Sequence, residues 1–228
     1  NGACNVEKSA NTRITINKTA TISAGVDGVF CEGPNAISTA TAVDYASLEW
    51  TSSGDGIFLP NNTVKNPSYT PGTNDLSSET VTLTLTATPL TSCQTDVVDD
   101  AIFDVYSAPV AYAGSDQTIC EGNTFTISQA TADNDASILW TSSGSGSWND
   151  PTLENPIYTP SAGDIANQSV TLTMTITGKG VCPTDDDSMV LNIVPKPTAN
   201  AGLDQSICQG EQIIIDATAQ NYASITWT

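Results

Sequence analysis

The sequence predicts an all-β chain of tandem β-sandwich domains, and three observations carry that prediction. The chain repeats itself about every 89 residues: Cys4, Cys93 and Cys182 stand 89 apart, and Cys31, Cys120 and Cys208 stand 89 and then 88 apart. The words around the cysteines recur with them. Ala24-Gly25-Val26-Asp27 returns as Ala113-Gly114-Ser115-Asp116 and Ala201-Gly202-Leu203-Asp204, Trp50-Thr51 as Trp140-Thr141 and Trp227-Thr228, and Asn66-Pro67-Ser68-Tyr69-Thr70-Pro71 as Asn155-Pro156-Ile157-Tyr158-Thr159-Pro160. Finally, Thr, Ser, Asn, Gly, Val and Ile dominate, charged residues make up only 14%, and no stretch keeps helical apolar spacing over three turns. That composition and patterning favour strands.

A period near 89 is long enough for a unit to bury its own core, so each repeat is predicted to fold by itself rather than as one coil of a solenoid. Residues 1–18 are expected to be the C-terminal strand of a preceding domain, 19–107 and 108–196 two whole domains, and 197–228 the N-terminal part of a following one. The expected arrangement is a rod.

Residues 108–196 illustrate one unit. Pro109 to Cys120 reads as a first strand, Glu121-Gly122-Asn123 as a turn, Thr124 to Ala130 as a second strand, and Ser137 to Thr141 as a third. Ser142-Ser143-Gly144-Ser145-Gly146 breaks it, and Pro151, Pro156 and Pro160 keep the following stretch irregular or at a sheet edge. Val170, Leu172, Met174 and Ile176 alternate with Thr171, Thr173, Thr175 and Thr177, the period-two signature of a strand with one buried face. Met189 to Val194 closes the unit. About seven short strands in each period, separated by turn residues, make an immunoglobulin-like sandwich.

Trp50, Trp140 and Trp227 fall where such a sandwich places a core aromatic on its third strand. Trp148 and its equivalent Phe58 follow a Gly-x-Gly turn, and with Tyr158 they are the candidates for stacking on a glycan. Tyr69 and Tyr158, boxed between prolines, read most simply as rim residues capping a sheet edge, their hydroxyls meeting backbone groups.

Twenty-five acids against six bases give a net charge of −19. That balance disfavours nucleic acid and anionic membrane surfaces as partners and suits a soluble, self-repelling filament. No apolar run reaches the ~20 residues of a membrane span, and no signal peptide is visible. A leader or anchor would lie outside a chain that begins within a domain. Cysteines confined to a strict period indicate disulfides formed in an oxidising, extracellular setting. In a sandwich the first strand carries Cys31 and Cys120 to the far pole, whereas Cys93 and Cys182 precede the last strand at the near pole. Pairing within a domain, Cys31 with Cys93 and Cys120 with Cys182, would cross roughly 25 to 30 Å at ~3.3 Å per residue, against about 4.4–6.8 Å between the Cα atoms of a disulfide. Pairing of Cys31 with Cys182 across a junction avoids that span. Intra-domain pairing remains the simpler arithmetic.

There is no histidine, which removes the commonest general base and zinc ligand, and no enzyme activity or cofactor is expected. Asp99-Asp100 and Asp185-Asp186-Asp187 read as solvated acids, with Asp116, Asp133, Asp135, Asp185, Asp186 and Asp187 as weak calcium candidates.

The run Ala-Gly-x-Asp-Gln-[Thr/Ser]-Ile-Cys-[Glu/Gln]-Gly at 113–122 and 201–210, with Trp-Thr-Ser-Ser-Gly, Asn-Pro-x-Tyr-Thr-Pro and Val-Thr-Leu-Thr, resembles the tandem Ig-like or PKD-like repeats of giant surface adhesins of gliding Bacteroidota. A PKD third strand runs Trp-x-Phe-Gly-Asp-Gly, where this chain has Trp50-Thr51-Ser52-Ser53-Gly54-Asp55-Gly56. The resemblance implies type 9 secretion, display on a Gram-negative cell surface and contact with outer-membrane secretion and motility machinery. Asp187-Ser188-Met189 resembles the O-glycosylation signal of such proteins, with Ser188 as acceptor. The expected role is a stalk that holds a distal adhesive tip and transmits force, its partners being adjacent repeats and, through the distal region, an extracellular surface or polysaccharide. The alternatives are repeats that bind polysaccharide multivalently and accessory modules of a secreted enzyme.

Overall fold

The computed structural model describes residues 9–14, 18–90 and 95–228. The chain divides into two compact units, 1–107 and 108–228. Of the strand expected over 1–18, residues 9–14 and 18 form no strand, and the remainder lies outside the described residues with Cys4 and Cys93.

The first unit runs β1 (Thr21–Ser23), β2 (Gly28–Cys31), β3 (Asn35–Ala36), β4 (Thr41–Val43), β5 (Tyr45–Ser52), β6 (Ile57–Leu59), β7 (Ser68–Thr70), α1 (Thr73–Ser78), β8 (Thr80–Pro89) and β9 (Val97–Tyr106). The second repeats it with β10 (Val110–Tyr112), β11 (Gln117–Cys120), β12 (Phe125–Thr126), β13 (Thr131–Asp133), β14 (Asp135–Ser142), β15 (Ser147–Trp148), β16 (Ile157–Thr159), α2 (Ala162–Asn167), β17 (Ser169–Gly178) and β18 (Thr184–Val194). One face of each sandwich is a four-stranded sheet, ordered β2-β9-β8-β5 or β11-β18-β17-β14; the other face holds β3-β7-β6 or β12-β16-β15, with the pairs β1–β4 and β10–β13 beside them. This is the predicted immunoglobulin-like β-sandwich.

The predicted alternation builds the core. Val170, Leu172, Met174 and Ile176 are buried, as are Val81, Leu83, Leu85 and Ala87, while the intervening threonines line the outer face. Each fully buried aliphatic side chain contributes ~1.5–3 kcal/mol of transfer free energy. Trp140 and Trp50 sit opposite Met174 and Leu85 on the neighbouring strands.

Two elements differ from the sequence reading. The first strand is not continuous: it divides into β10 and β11 because Gly114, with φ +94°, turns the chain out of one sheet and into the other. β10 pairs antiparallel with β13, whereas β11 pairs parallel with the last strand, β18. Gly25, at φ +108°, performs the same hop between β1 and β2. The second difference is the short helix before the longest strand. Six residues are too few to show helical periodicity, and both helices end at a left-handed residue, Glu79 or Gln168, where glycine is the usual choice.

Within 197–228 only β19 (Thr198–Asn200) and β20 (Thr218–Gln220) form, and they pair with each other. Trp227 is 61% exposed, as the strand pair of 197–228 carries no opposing sheet over it.

The hop positions predict an ordered pair of effects. Gly114→Ala should cost ~1–2 kcal/mol from the left-handed backbone alone, its Cβ meeting only ordinary contacts with Gln129. Gly25→Ala should cost more, because its Cβ would overlap the Thr39 hydroxyl. Urea unfolding of the two variants checks the order.

Candidate functional site

Polar groups concentrate at two places in each unit, a buried hub under the Gly-x-Gly turn and a clasp joining the first strand to the last. At the hub, Asp164 is 2% exposed and Tyr158 fully buried. Tyr158 donates its hydroxyl proton to Asp164 Oδ2 at 2.8 Å and accepts the Gly146 N–H at 3.2 Å. Asp164 Oδ2 also accepts the Ser161 N–H at 2.8 Å, and Oδ1 accepts the Ser145 N–H at 3.3 Å. Ser161 Oγ accepts the Asp164 N–H at 3.2 Å, completing a reciprocal cap on α2. A single carboxylate therefore ties turn, tyrosine and helix together.

The same hub stands in the first unit, where Asp75 Oδ2 accepts from Tyr69 Oη at 2.7 Å, Gly72 N at 3.0 Å and Gly56 N at 3.1 Å. Here the helix cap comes from a different place. Gly72 has no side chain, and Asp55 Oδ1 accepts the N–H groups of Asn74 and Asp75 at 3.0 and 3.4 Å. A Cβ on Gly72 would overlap Asp55, and one on Gly54 or Gly144 would overlap the buried carboxylate. The recurrent glycines are thus the space that the carboxylate and its partners occupy.

Burial pushes the Asp164 carboxyl up, but the N–H of Ser161, the hydroxyls of Tyr158 and Ser161 and the N–H of Ser145 outweigh it and hold the group below its ordinary 3.8. Burial, aided by the adjacent Asp75 carboxylate and opposed by the Ser52 hydroxyl, pushes the Tyr69 hydroxyl up to about 12. Tyr158 shifts in the same direction for the same first cause.

The clasp explains the Ala-Gly-x-Asp word. Ala113 N–H donates to Asp187 Oδ2 at 2.8 Å, and Asp116 Oδ1 accepts from Val190 N–H at 2.8 Å. Around Gly25 the exchange recurs, Ala24 N–H to Asp99 at 2.7 Å and Ile102 N–H to Asp27 at 2.8 Å. Asp185 adds a bond from Ala111 N–H at 2.8 Å. The acids expected to be solvated loop residues lie instead on the last strand. Asp116, Asp185 and Asp187 satisfy backbone donors, Asp186 faces Thr175 across the ladder, Asp133 ends β13 and Asp135 starts β14. Among the described residues no three acids, cysteines or histidines converge on a metal-sized space.

The glycan candidates separate. Tyr158 is wholly buried, which corrects both the rim reading and its place as a glycan contact; Tyr69 is buried likewise. Trp148 and Phe58 are half-buried against the core, with ring centroids 5.7 Å from Trp140 and 4.7 Å from Tyr158 in the one case, and 6.2 Å from Trp50 and 5.0 Å from Tyr69 in the other. Ser188 is exposed in the middle of β18, bonded to Thr173 Oγ1 at 2.8 Å rather than in a loop.

Cys31 and Cys182 are disulfide-bonded, and Cys120 and Cys208 carry exposed thiols. Cys120 lies opposite Val194, the last residue of the 11-residue β18, and Cys182 two residues before that strand begins. The Cys120–Cys182 pair is thereby corrected: the two cysteines occupy opposite poles, about 35 Å apart at ~3.3 Å per residue.

No protein-family model matches the chain, and no curated protein does. Among solved structures the chain is similar to protocadherin gamma B2 extracellular cadherin domains 3-6, at 13% identity and TM-score 0.38, covering 81% of this chain and 50% of that one. Mouse cadherin-23 EC22-24 shares 13% identity at TM-score 0.41 over 89% of this chain and 78% of its own. Human CDH23 EC21-23 shares 17% at TM-score 0.38 over 85% and 77%. This chain therefore spans half the length of the protocadherin fragment. Among its described residues no helix is long and apolar enough to cross a membrane.

Three outcomes follow for the hub. Because the folded Asp164 carboxyl lies below its unfolded value, its stabilisation is complete above the ordinary carboxylate range and is lost as pH falls through the folded value. Acid unfolding of the second unit should begin below about pH 4, and Asp164→Asn should cost ~1.5–3 kcal/mol at neutral pH and flatten that acid limb. Tyr69, with its folded value raised, stabilises fully below pH 10 and loses this as pH rises through about 12; ultraviolet titration of tyrosinate should place it last, together with unfolding. Trp148→Ala should lower stability by ~3 kcal/mol, as measured by denaturation.

Proposed function

We propose that this chain is a stretch of the repeat array of an extracellular adhesin, a stalk that holds a distal adhesive region away from the cell and carries tension to it. The observation that supports this reading is the position of the terminal strands. In each unit the strand after the glycine hop lies parallel to the last strand, β2 against β9 and β11 against β18. The chain thus arrives at one pole of a unit and leaves from the other. Beside the arriving chain, Ala108 O accepts from Asn134 Nδ2 at 3.0 Å; beside the departing chain, Lys196 N–H donates to Glu121 at 2.9 Å. Pulling on the two ends loads the parallel ladder and its carboxylate clasp in shear, so that several bonds must yield together.

The oxidised state of Cys31 and Cys182 supports an oxidising location outside the cytoplasm. The high negative charge supports a filament that repels its neighbours over about 10 Å at physiological salt. The finer reading, a gliding-motility adhesin exported by type 9 secretion on a Gram-negative cell, rests on the resemblance of the repeat words. Adjacent repeats are the immediate partners, and the distal region meets the surface or polysaccharide.

A fluorescent antibody fragment raised against 108–196 should label intact, unpermeabilised source cells, and rapid travel of the label along the cell would establish motility. A fixed surface label would retain the stalk and remove the motility reading. Label found only after permeabilisation would overturn both.

A further inference from the structure

Both backbone polar groups of Lys196 are bonded to side chains on opposite sides of it, and we propose that this residue is a locked joint rather than a hinge. Within the second unit, Lys196 links the sandwich that ends at β18 to the strand pair β19–β20. From the sandwich side, Glu121 Oε2 accepts the Lys196 N–H at 2.9 Å. From the side of the strand pair, Asn221 Nδ2 donates to Lys196 O at 3.3 Å.

Both grips have fixed supports. Glu121 opens the turn after β11, where its own N–H bonds Val194 O at 2.8 Å and the Asn123 N–H bonds Cys120 O at 3.2 Å. Gly122, at φ +88°, leaves room for the Lys196 side chain: a Cβ there would stand 2.9 Å from Nζ and 3.5 Å from Cε. Asn221 directly follows β20 with a left-handed φ of +54°, a conformation that asparagine adopts more readily than most residues. Asn134 stands at the matching place after β13, at φ +58°, and its Nδ2 holds Ala108 O at 3.0 Å. A left-handed asparagine that reaches back to the arriving chain is thus a repeated device.

The linker explains why two exposed hydrogen bonds suffice. Pro195 and Pro197 flank Lys196; each fixes its own φ at about −65° and brings no N–H, and Pro197 confines Lys196 to extended backbone. Few conformations remain, and the two bonds have only to select among those. A glycine- and serine-rich linker would offer many more. The first unit shows what the lock requires. Asp44 takes the same place after β4 with the same left-handed backbone, φ +58°, but a carboxylate only accepts hydrogen bonds and cannot hold a carbonyl. The lock is independent of the stalk reading; its use, passing a pull from repeat to repeat without swivelling, rests on that reading.

The test measures distances across Lys196 in the full chain by pulsed electron paramagnetic resonance. Spin labels are carried on noncanonical residues in place of Leu139 and Thr218, both exposed, which leaves the cysteines untouched. The joint should give one narrow distance distribution. Glu121→Ala and Asn221→Asp should each lose that peak to a broad one, while Glu121→Gln, which keeps an acceptor oxygen, should retain it. Asp44 already occupies the same backbone conformation, so Asn221→Asp removes the donor without misfolding the turn. A broad distribution without any substitution at 121 or 221, or a peak that stays narrow in Glu121→Ala and Asn221→Asp, would overturn the proposal. Neither result depends on where the array is displayed, which the antibody experiment decides separately.

Discussion

Each unit is governed by one constraint: its first strand must serve two sheets. Antiparallel pairing to β4 or β13 closes one face of the sandwich, and parallel pairing to β9 or β18 closes the other. Only a left-handed residue lets the chain change sheets in so short a space, which places glycine at 25 and 114. The hop leaves backbone donors on both sides without ladder partners, and buried or half-buried donors must be satisfied. The carboxylates of Asp27, Asp99, Asp116 and Asp187 satisfy them. An acidic composition that would otherwise be a surface property is thus used, in part, as a set of acceptors for strand edges.

The hub solves a second problem of the same kind. The strand after the core tryptophan stops at a Gly-x-Gly turn, and the turn's donors point inward, where no sheet can receive them. A buried aspartate and tyrosine receive them instead, and the aspartate also caps the helix that leads into the longest strand. The two units reach the same cap by different residues, Asp55 with Gly72 in one, Ser145 with Ser161 in the other. The pairs exchange as units: the carboxylate at 55 fills the space that a side chain at 72 would need. A substitution at one position of a pair therefore has a different effect in each repeat.

Much of this was legible in the sequence. The period, the Val-Thr-Leu-Thr alternation and the paired tryptophans on the third strand led directly to the sheets and the core. The Ala-Gly-x-Asp word was visible as a repeat but not as a hop, because a continuous strand and a strand that changes sheets have the same alternation on either side of the glycine. Asp75 and Asp164 carry no such mark, for a related reason. Single acids in polar segments read as surface, and only the spacing to a tyrosine six residues earlier, shared by both repeats, could have marked them. Tyr158 reads as a rim residue, and Trp148 as a candidate for stacking on a glycan, because prolines and glycines surround them, yet those residues are what allow the aromatic rings to turn inward.

In the proposed stalk, tension along the chain is borne by the parallel terminal strands and their carboxylate clasp. This is tested most directly by pulling single molecules of the full chain and comparing wild type with the double variant Asp116→Ala, Asp187→Ala. Both substitutions lie in the second unit, so the account predicts that one of the two unfolding events moves to lower force while the other stays in place. Two events at unchanged force would contradict it and would move the mechanical strength of the array to the cores.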